Sequence, residues 1–425
     1  MILQLENKLN SAQTLPINNS LCPELQLILC CARSQITSPL ASEIEILLNQ
    51  DLDWVYLLQI AKQHNVLLLV YHNLQANYSS FIPPEILSQL QTYAQIKTVR
   101  QLFFTKELAE IIDLLAANKV TAVPFKGAVL AKLAYGNIGL RDFCDLDILV
   151  RRDDFLYAKD LLVRHGYRHK YFGDHEDAYC QAQLIREDRQ LSIDLHYNIT
   201  PKNFPFCLET ESLWQGLKTL SLAEAEKKVS CLSPEDTVLV TYIQGKKENW
   251  NSLKRICDLA EIIQAYPQLN WTQIFTQVRN QDEETAFIFS LFLASFHLRK
   301  SLPSAIVAKS KNSATLQALA AEKYALIFSD LQSRNQVTRW GGIDLFRLAK
   351  IDNCWERIKY ISGVAFQVNE KDKAVVSLPN FLMFLYYPIR GLRLVKNYSF
   401  SLTKVKILSQ YFLGFTQKEL AKKVR

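Results

Sequence analysis

The chain has 425 residues, 49% of them apolar and 21% charged, enough for a substantial core and for more than one domain. That balance is ordinary for a soluble globular protein and argues against disorder except at the ends. A net charge of +7 suits a protein that meets phosphates, but it is too diffuse to specify nucleic acid. Nine scattered cysteines without a Cys-x-x-Cys pair argue against a disulfide framework and for a reducing, cytoplasmic setting. The N-terminus lacks the basic and apolar regions of a signal peptide. The most apolar stretch, Ala286 to Phe296, falls short of the ~20 residues a membrane span needs.

Residues 1–20 read as a polar arm. Helical spacing of apolar residues begins at Pro23 and recurs to Leu74, with Asp51 or Asp53 as an N-cap. Pro83-Pro84 interrupts it, and a long helix is expected from Glu85 to Asn118. A short apolar strand follows from Val120 to Phe125, broken by Lys126-Gly127. Ala128 to Tyr135 is helical in composition, and Gly136 and Gly139 form a loop. Arg141 then leads into the strand Asp145-Leu146-Asp147-Ile148-Leu149-Val150.

After it come a helix opened by Arg151 to Asp154, with Phe155, Ala158, Leu161 and Leu162 on its core face and Gly166 as its cap, and strands at Tyr167–Phe172 and Ala178–Arg186. A turn at Glu187–Gln190 precedes the alternating strand Leu191 to Tyr197. Pro201 to Pro205 reads as a linker, and mostly helices follow, one of them capped by Ser233 with Pro234 at its first position. The expected fold class is α+β, a mixed-sheet core between helical regions. Its expected parts are 1–100, a catalytic core at 101–206, a helical bundle at 207–300 that closes the cleft, and a mostly helical region at 301–425. A helix over Ser313 to Phe328 carries the bundle-like pattern past residue 300, the last region includes an aromatic stretch from Phe381 to Val395, and the basic tail from Lys404 reads as a solvated helix.

In a strand, residues two apart share a face. Asp145 and Asp147 therefore stand side by side, and their repulsion calls for a cation. Asp194, flanked by Ile193 and Leu195, is placed to join them from a neighbouring strand. Three carboxylates in one pocket suit Mg²⁺ or Mn²⁺. Two such ions ~4 Å apart would clamp the attacking and leaving oxygens of a phosphoryl displacement. Gly127 at a helix start admits a phosphate, and Lys126 and Arg141 bracket the pocket with positive charge. His196 shares a strand face with Asp194 and serves either the site or a structural hydrogen bond. His175 and Glu176 fall in a loop, Trp250, Lys254 and Asp258 recur at helical spacing, and Lys246-Lys247 add charge nearby.

The run F-K-G-A-V-L-A-K-L-A-Y, L-R-D-F-C-D-L-D-I-L-V and S-I-D-L-H-Y resembles the nucleotidyltransferase superfamily with the DNA polymerase β-like fold. More narrowly it resembles an uncharacterised bacterial branch with Lys-Gly, Arg, Asp-x-Asp and Asp-Leu-His in this order. The resemblance implies that Asp145, Asp147 and Asp194 hold two Mg²⁺ or Mn²⁺ ions, with Asp194 near the acceptor hydroxyl, and that phosphate binds around Gly127. It implies NTP as substrate and an unidentified small-molecule, protein or RNA acceptor. A non-catalytic nucleotide-binding scaffold on the same fold is the alternative. Two departures stand out: Lys-Gly replaces the superfamily's small-residue pair, and Gly245-Lys246 stands where the branch has His-Gly.

Overall fold

The computed structural model describes residues 21–170, 179–201, 206–208, 210–222, 228–281 and 283–297, with residue 204 and scattered positions from 302 to 390. The arm at 1–20, His175 and Glu176, and the basic tail lie outside the described residues, as does most of the expected helix at 313–328 and of the aromatic stretch at 381–395. The chain divides into two compact units, Met1–Phe328 and Ser329–Arg425. The first carries the helices and strands of defined bounds.

Five helices open it: α1 (Pro23–Cys31), α2 (Ser38–Leu48), α3 (Trp54–Gln63), α4 (Leu67–Tyr78) and α5 (Pro84–Ala117). Asp53 caps α3, its carboxylate accepting from Tyr56 N at 2.9 Å. The 34-residue α5 runs through position 100, so the expected boundary between the first two regions falls inside one helix. Its C-terminal half supplies Phe104, Leu108, Ile111 and Leu115 to the sheet's core.

A five-stranded mixed sheet follows, in the order β1-β2-β5-β4-β3. Its strands are β1 (Ala122–Pro124), β2 (Leu146–Val150), β3 (Arg168–His169), β4 (Gln181–Arg186) and β5 (Leu191–His196). Helix α6 (Gly127–Tyr135) joins β1 to β2, and α7 (Phe155–Arg164) joins β2 to β3. Only β2 and β5 are parallel, and the other pairs are antiparallel. Alternation sorts the faces. Leu146, Ile148, Val150, Ile193 and Leu195 are buried against α5 and α7. Each such aliphatic chain contributes about 1.5–3 kcal/mol by leaving water. The opposite face carries the polar residues.

The expected strand at Tyr167 begins one residue later, and its end from residue 171 lies outside the described residues. Where mostly helices were expected after the linker, a second sheet, antiparallel, forms between α8 (Thr210–Gln215) and the bundle: β6 (Lys218–Ser221) and β7 (Lys228–Cys231). Val229 and Cys231 of β7 join the main core. The bundle comprises α9 (Pro234–Lys247), α10 (Leu253–Ala265), α11 (Trp271–Arg279) and α12 (Glu284–Ser295). Ser233 caps α9 as expected, accepting from Asp236 N at 3.1 Å. The helix expected from Trp250 starts instead at Leu253, because Asn249 and Trp250 both adopt positive φ. No helix among the described residues is long and apolar enough to cross a membrane.

Candidate active site

The polar face of the sheet is centred on one register pair. Asp147 of β2 and Asp194 of β5 are Cα partners across parallel strands, and Leu149 pairs with His196 two residues along. Both pairs point to the face away from the core. Asp145 stands immediately before β2 and is partly exposed, whereas Asp147 is buried at 5% exposure.

Two nitrogens converge on one oxygen of Asp147. Lys126 Nζ lies 2.5 Å from Oδ1, and His196 Nε2 lies 3.3 Å from the same atom. Burial opposes the charge on Asp147, yet Lys126 and the His196 hydrogen bond outweigh it and hold the carboxyl well below the usual range. Asp194 goes the other way. Burial, then the charges of Asp147 and Asp145, push it up to about 6. Asp145 is raised as well, by burial and then by Asp147. Burial lowers His196 to about 4, so its ring is neutral near pH 7. Gln181 Nε2 donates to Asp194 Oδ2 at 3.3 Å. Its alternation with Ala182 on β4 was the available sequence signal for that contact.

Lys126 and Gly127 form the turn between β1 and α6. Gly127 has φ +51°, a conformation that costs a side-chain-bearing residue and suits glycine. The first N–H groups of a helix have no partner within it, so the start of α6 is an electrically positive edge beside the carboxylates.

Arg141 takes a different place from the one the sequence suggested. It is 3% exposed, and its guanidinium grips Asp258 of α10 through Nε at 2.7 Å and Nη2 at 2.9 Å. Tyr135 Oη donates to the same carboxylate at 2.9 Å. This ion pair fixes the loop that delivers Asp145. Gln101 of α5 donates to Arg141 O at 2.7 Å, Lys97 of α5 pairs with Asp142 at 2.6 Å, and Lys254 of α10 donates to Asp142 O. The arginine thus acts on the site through the backbone, with its charge committed to Asp258. Trp250 is buried in the bundle, Lys246 pairs with Glu283 at 2.5 Å, and Lys247 donates to Ile199 O at 3.0 Å.

The residues fit a divalent cation. One ligand atom each from Asp147, Asp194 and His196 lies within 4.8 Å of the others. Asp194 Oδ1 and His196 Nδ1 are buried without a hydrogen-bond partner among the described residues. Buried polar atoms are rarely left so, and a cation would satisfy them. Carboxylate oxygens favour Mg²⁺ or Mn²⁺, and an imidazole extends the set toward softer metals. Asp145 lies outside this three-residue cluster but couples electrostatically to Asp147 and Asp194.

No curated protein matches the chain. Among solved structures it is similar to the antibiotic-resistance factor ANT(2'')-Ia, with 11% identity and a TM-score of 0.32, over 44% of this chain and 95% of that one. It is also similar to an antigenic nucleotidyltransferase-like protein from Paracoccidioides brasiliensis, with 15% identity and a TM-score of 0.28, over 43% of this chain and 91% of that one. The family described as uncharacterised nucleotidyltransferase matches residues 50–298, more than half of the chain, and the chain belongs to it.

Proposed function

We propose that the protein transfers an NMP group from an NTP to a hydroxyl acceptor, in a metal-dependent reaction that releases pyrophosphate. The observation that carries this reading is the register pair of buried Asp147 and half-buried Asp194 on the sheet's polar face, with Asp145 beside it and the Lys126-Gly127 turn at one edge. Asp145, Asp147 and Asp194 hold the cations, with His196 completing the set. Bound metal supplies charge neutralisation at the α-phosphate and lowers the pKa of the acceptor hydroxyl.

Lys126 and the start of α6 receive the triphosphate. Asp194, with one carboxylate oxygen unpartnered, takes the proton from the acceptor hydroxyl. The hydroxyl oxygen bonds to the α-phosphorus, the bond from that phosphorus to the bridging oxygen breaks, and pyrophosphate leaves. Arg141 holds the Asp145 loop against α10.

Calorimetry with Mg²⁺ and each of the common NTPs tests this reading on the wild type and on the double variant Asp145→Ala, Asp147→Ala. The wild type is expected to bind an NTP only with metal, and the double variant to lose that binding. Unchanged binding in the double variant would overturn the metal assignment. Pyrophosphate release with candidate acceptors then separates transfer from mere nucleotide binding.

A further inference from the structure

We propose that Lys126 couples nucleotide binding to metal binding. Its ammonium holds Asp147 Oδ1 and weakens a cation's hold there until a triphosphate draws it away. The inference rests on the proposed nucleotidyl transfer and deepens it at one residue.

The partners around the site are unevenly distributed. Asp147 Oδ1 has two, Lys126 Nζ at 2.5 Å and His196 Nε2 at 3.3 Å. Asp194 Oδ1, in the same cluster, has none among the described residues. A divalent ion sitting about 2.1 Å from Asp147 Oδ1 would share that oxygen with an ammonium, like charge against like charge. Each therefore weakens the other's hold on that oxygen.

The pair is also secluded, with the Lys126 side chain 14% and the Asp147 side chain 4% exposed. Separating it without substitutes would strand a buried carboxylate, which is costly. A cation must replace the ammonium on Asp147, and an anion must receive the ammonium. The anion site lies within reach. Lys126 occupies the N-cap position of α6, next to the positive-φ Gly127, so its four-carbon stem starts at the helix terminus that favours phosphate. The ammonium can pass from Asp147 to a phosphate there by side-chain rotation alone. Metal and triphosphate therefore each relieve the other's cost, and their affinities are linked reciprocally.

The test is Mn²⁺ binding to the full chain, followed by electron paramagnetic resonance of the free ion. Wild type, Lys126→Met and Lys126→Arg are compared with and without inorganic tripolyphosphate, which sidesteps base preference. Free Mn²⁺ is corrected for its complex with the polyphosphate. In the wild type, tripolyphosphate is expected to tighten Mn²⁺ about tenfold, within the usual range of coupling. Lys126→Met is expected to bind Mn²⁺ about tenfold tighter than wild type without polyphosphate, and to gain nothing when it is added. Lys126→Arg keeps the cation and is expected to keep the coupling.

Equal Mn²⁺ affinity in wild type and Lys126→Met, or equal tightening in both, overturns the inference while leaving nucleotidyl transfer standing. Absence of coupling in the wild type overturns it too, whether or not Lys126→Met folds. If no form binds Mn²⁺ or polyphosphate, the functional reading falls with it.

Discussion

Arg141 and Asp258 lie 117 positions apart and close a bidentate ion pair in the interior, joining the loop before β2 to α10. Asp258 is 1% exposed and also accepts from Tyr135. Removing one partner leaves a buried charge without compensation, whereas removing both need not. Asp258→Ala is expected to lower unfolding free energy by about 3–5 kcal/mol in urea titrations. Arg141→Met combined with Asp258→Leu is expected to cost much less than the sum of the single changes. A loss below about 1 kcal/mol in Asp258→Ala would show that the pair contributes little net stability.

Gly245 lies under the ring of Trp250. A Cβ at that position would overlap three carbons of the indole. Trp250 is held there by its own positive φ and by a 2.7 Å hydrogen bond from its N–H to Gly245 O, so the ring has little room to retreat. Gly245→Ala is expected to destabilise the fold by about 1–3 kcal/mol, the usual range for overpacking. Indole fluorescence should shift with it. An unchanged melting temperature would mean that the ring swings aside freely.

What could be read from sequence was whatever repeats locally. Strand alternation put Asp147 and Asp194 on apolar strands and left them facing away from the core, and the register pair has that geometry. The Lys126-Gly127 break likewise sits at a helix start with a positive φ. Partners distant in sequence were not legible. Arg141 looked like a phosphate ligand because nothing near it announces Asp258. Strands β6 and β7 are only four residues each; three of the four residues in β6 are exposed, so no alternation marked it, and the alternation of β7 is too short to stand out. The antiparallel pairing of β1 with β2 is set by how α6 folds back, which no local pattern encodes.

Asp194 is the residue where fold and chemistry conflict. It faces Asp147 in the register, and the charges of Asp147 and Asp145 both oppose its ionisation. Asp194→Asn removes the repulsion and keeps the shape. Without added metal the variant is expected to melt above the wild type near neutral pH. Mn²⁺, which stabilises whatever folded state binds it, should raise the wild-type midpoint but scarcely move the variant's. Pyrophosphate release should fall by at least about 10²-fold with loss of the proton acceptor. A variant that melts lower than the wild type without metal would show that Asp194 is structural first.

His297 gives the fold an acid limit away from the site. It is 1% exposed, and neither ring nitrogen has a hydrogen-bond partner among the described residues. Burial, then the charge of Arg33, lowers its pKa to about 3. An unfolded histidine titrates near 6.5. Between these values the unfolded chain carries a proton on this ring and the folded chain does not. Stability therefore rises with pH through the window, and is lost as pH falls from about 6.5 toward 3. One such proton contributes a slope of up to about 1.4 kcal/mol per pH unit. His196, lowered to about 4 by burial, adds its own loss between about pH 6.5 and 4 and is unchanged in the comparison. His297→Leu is expected to flatten urea-derived stability between about pH 6 and 4.5 by close to one proton relative to wild type. Parallel curves for the two proteins would show that His297 protonates in the folded state as readily as in the unfolded one.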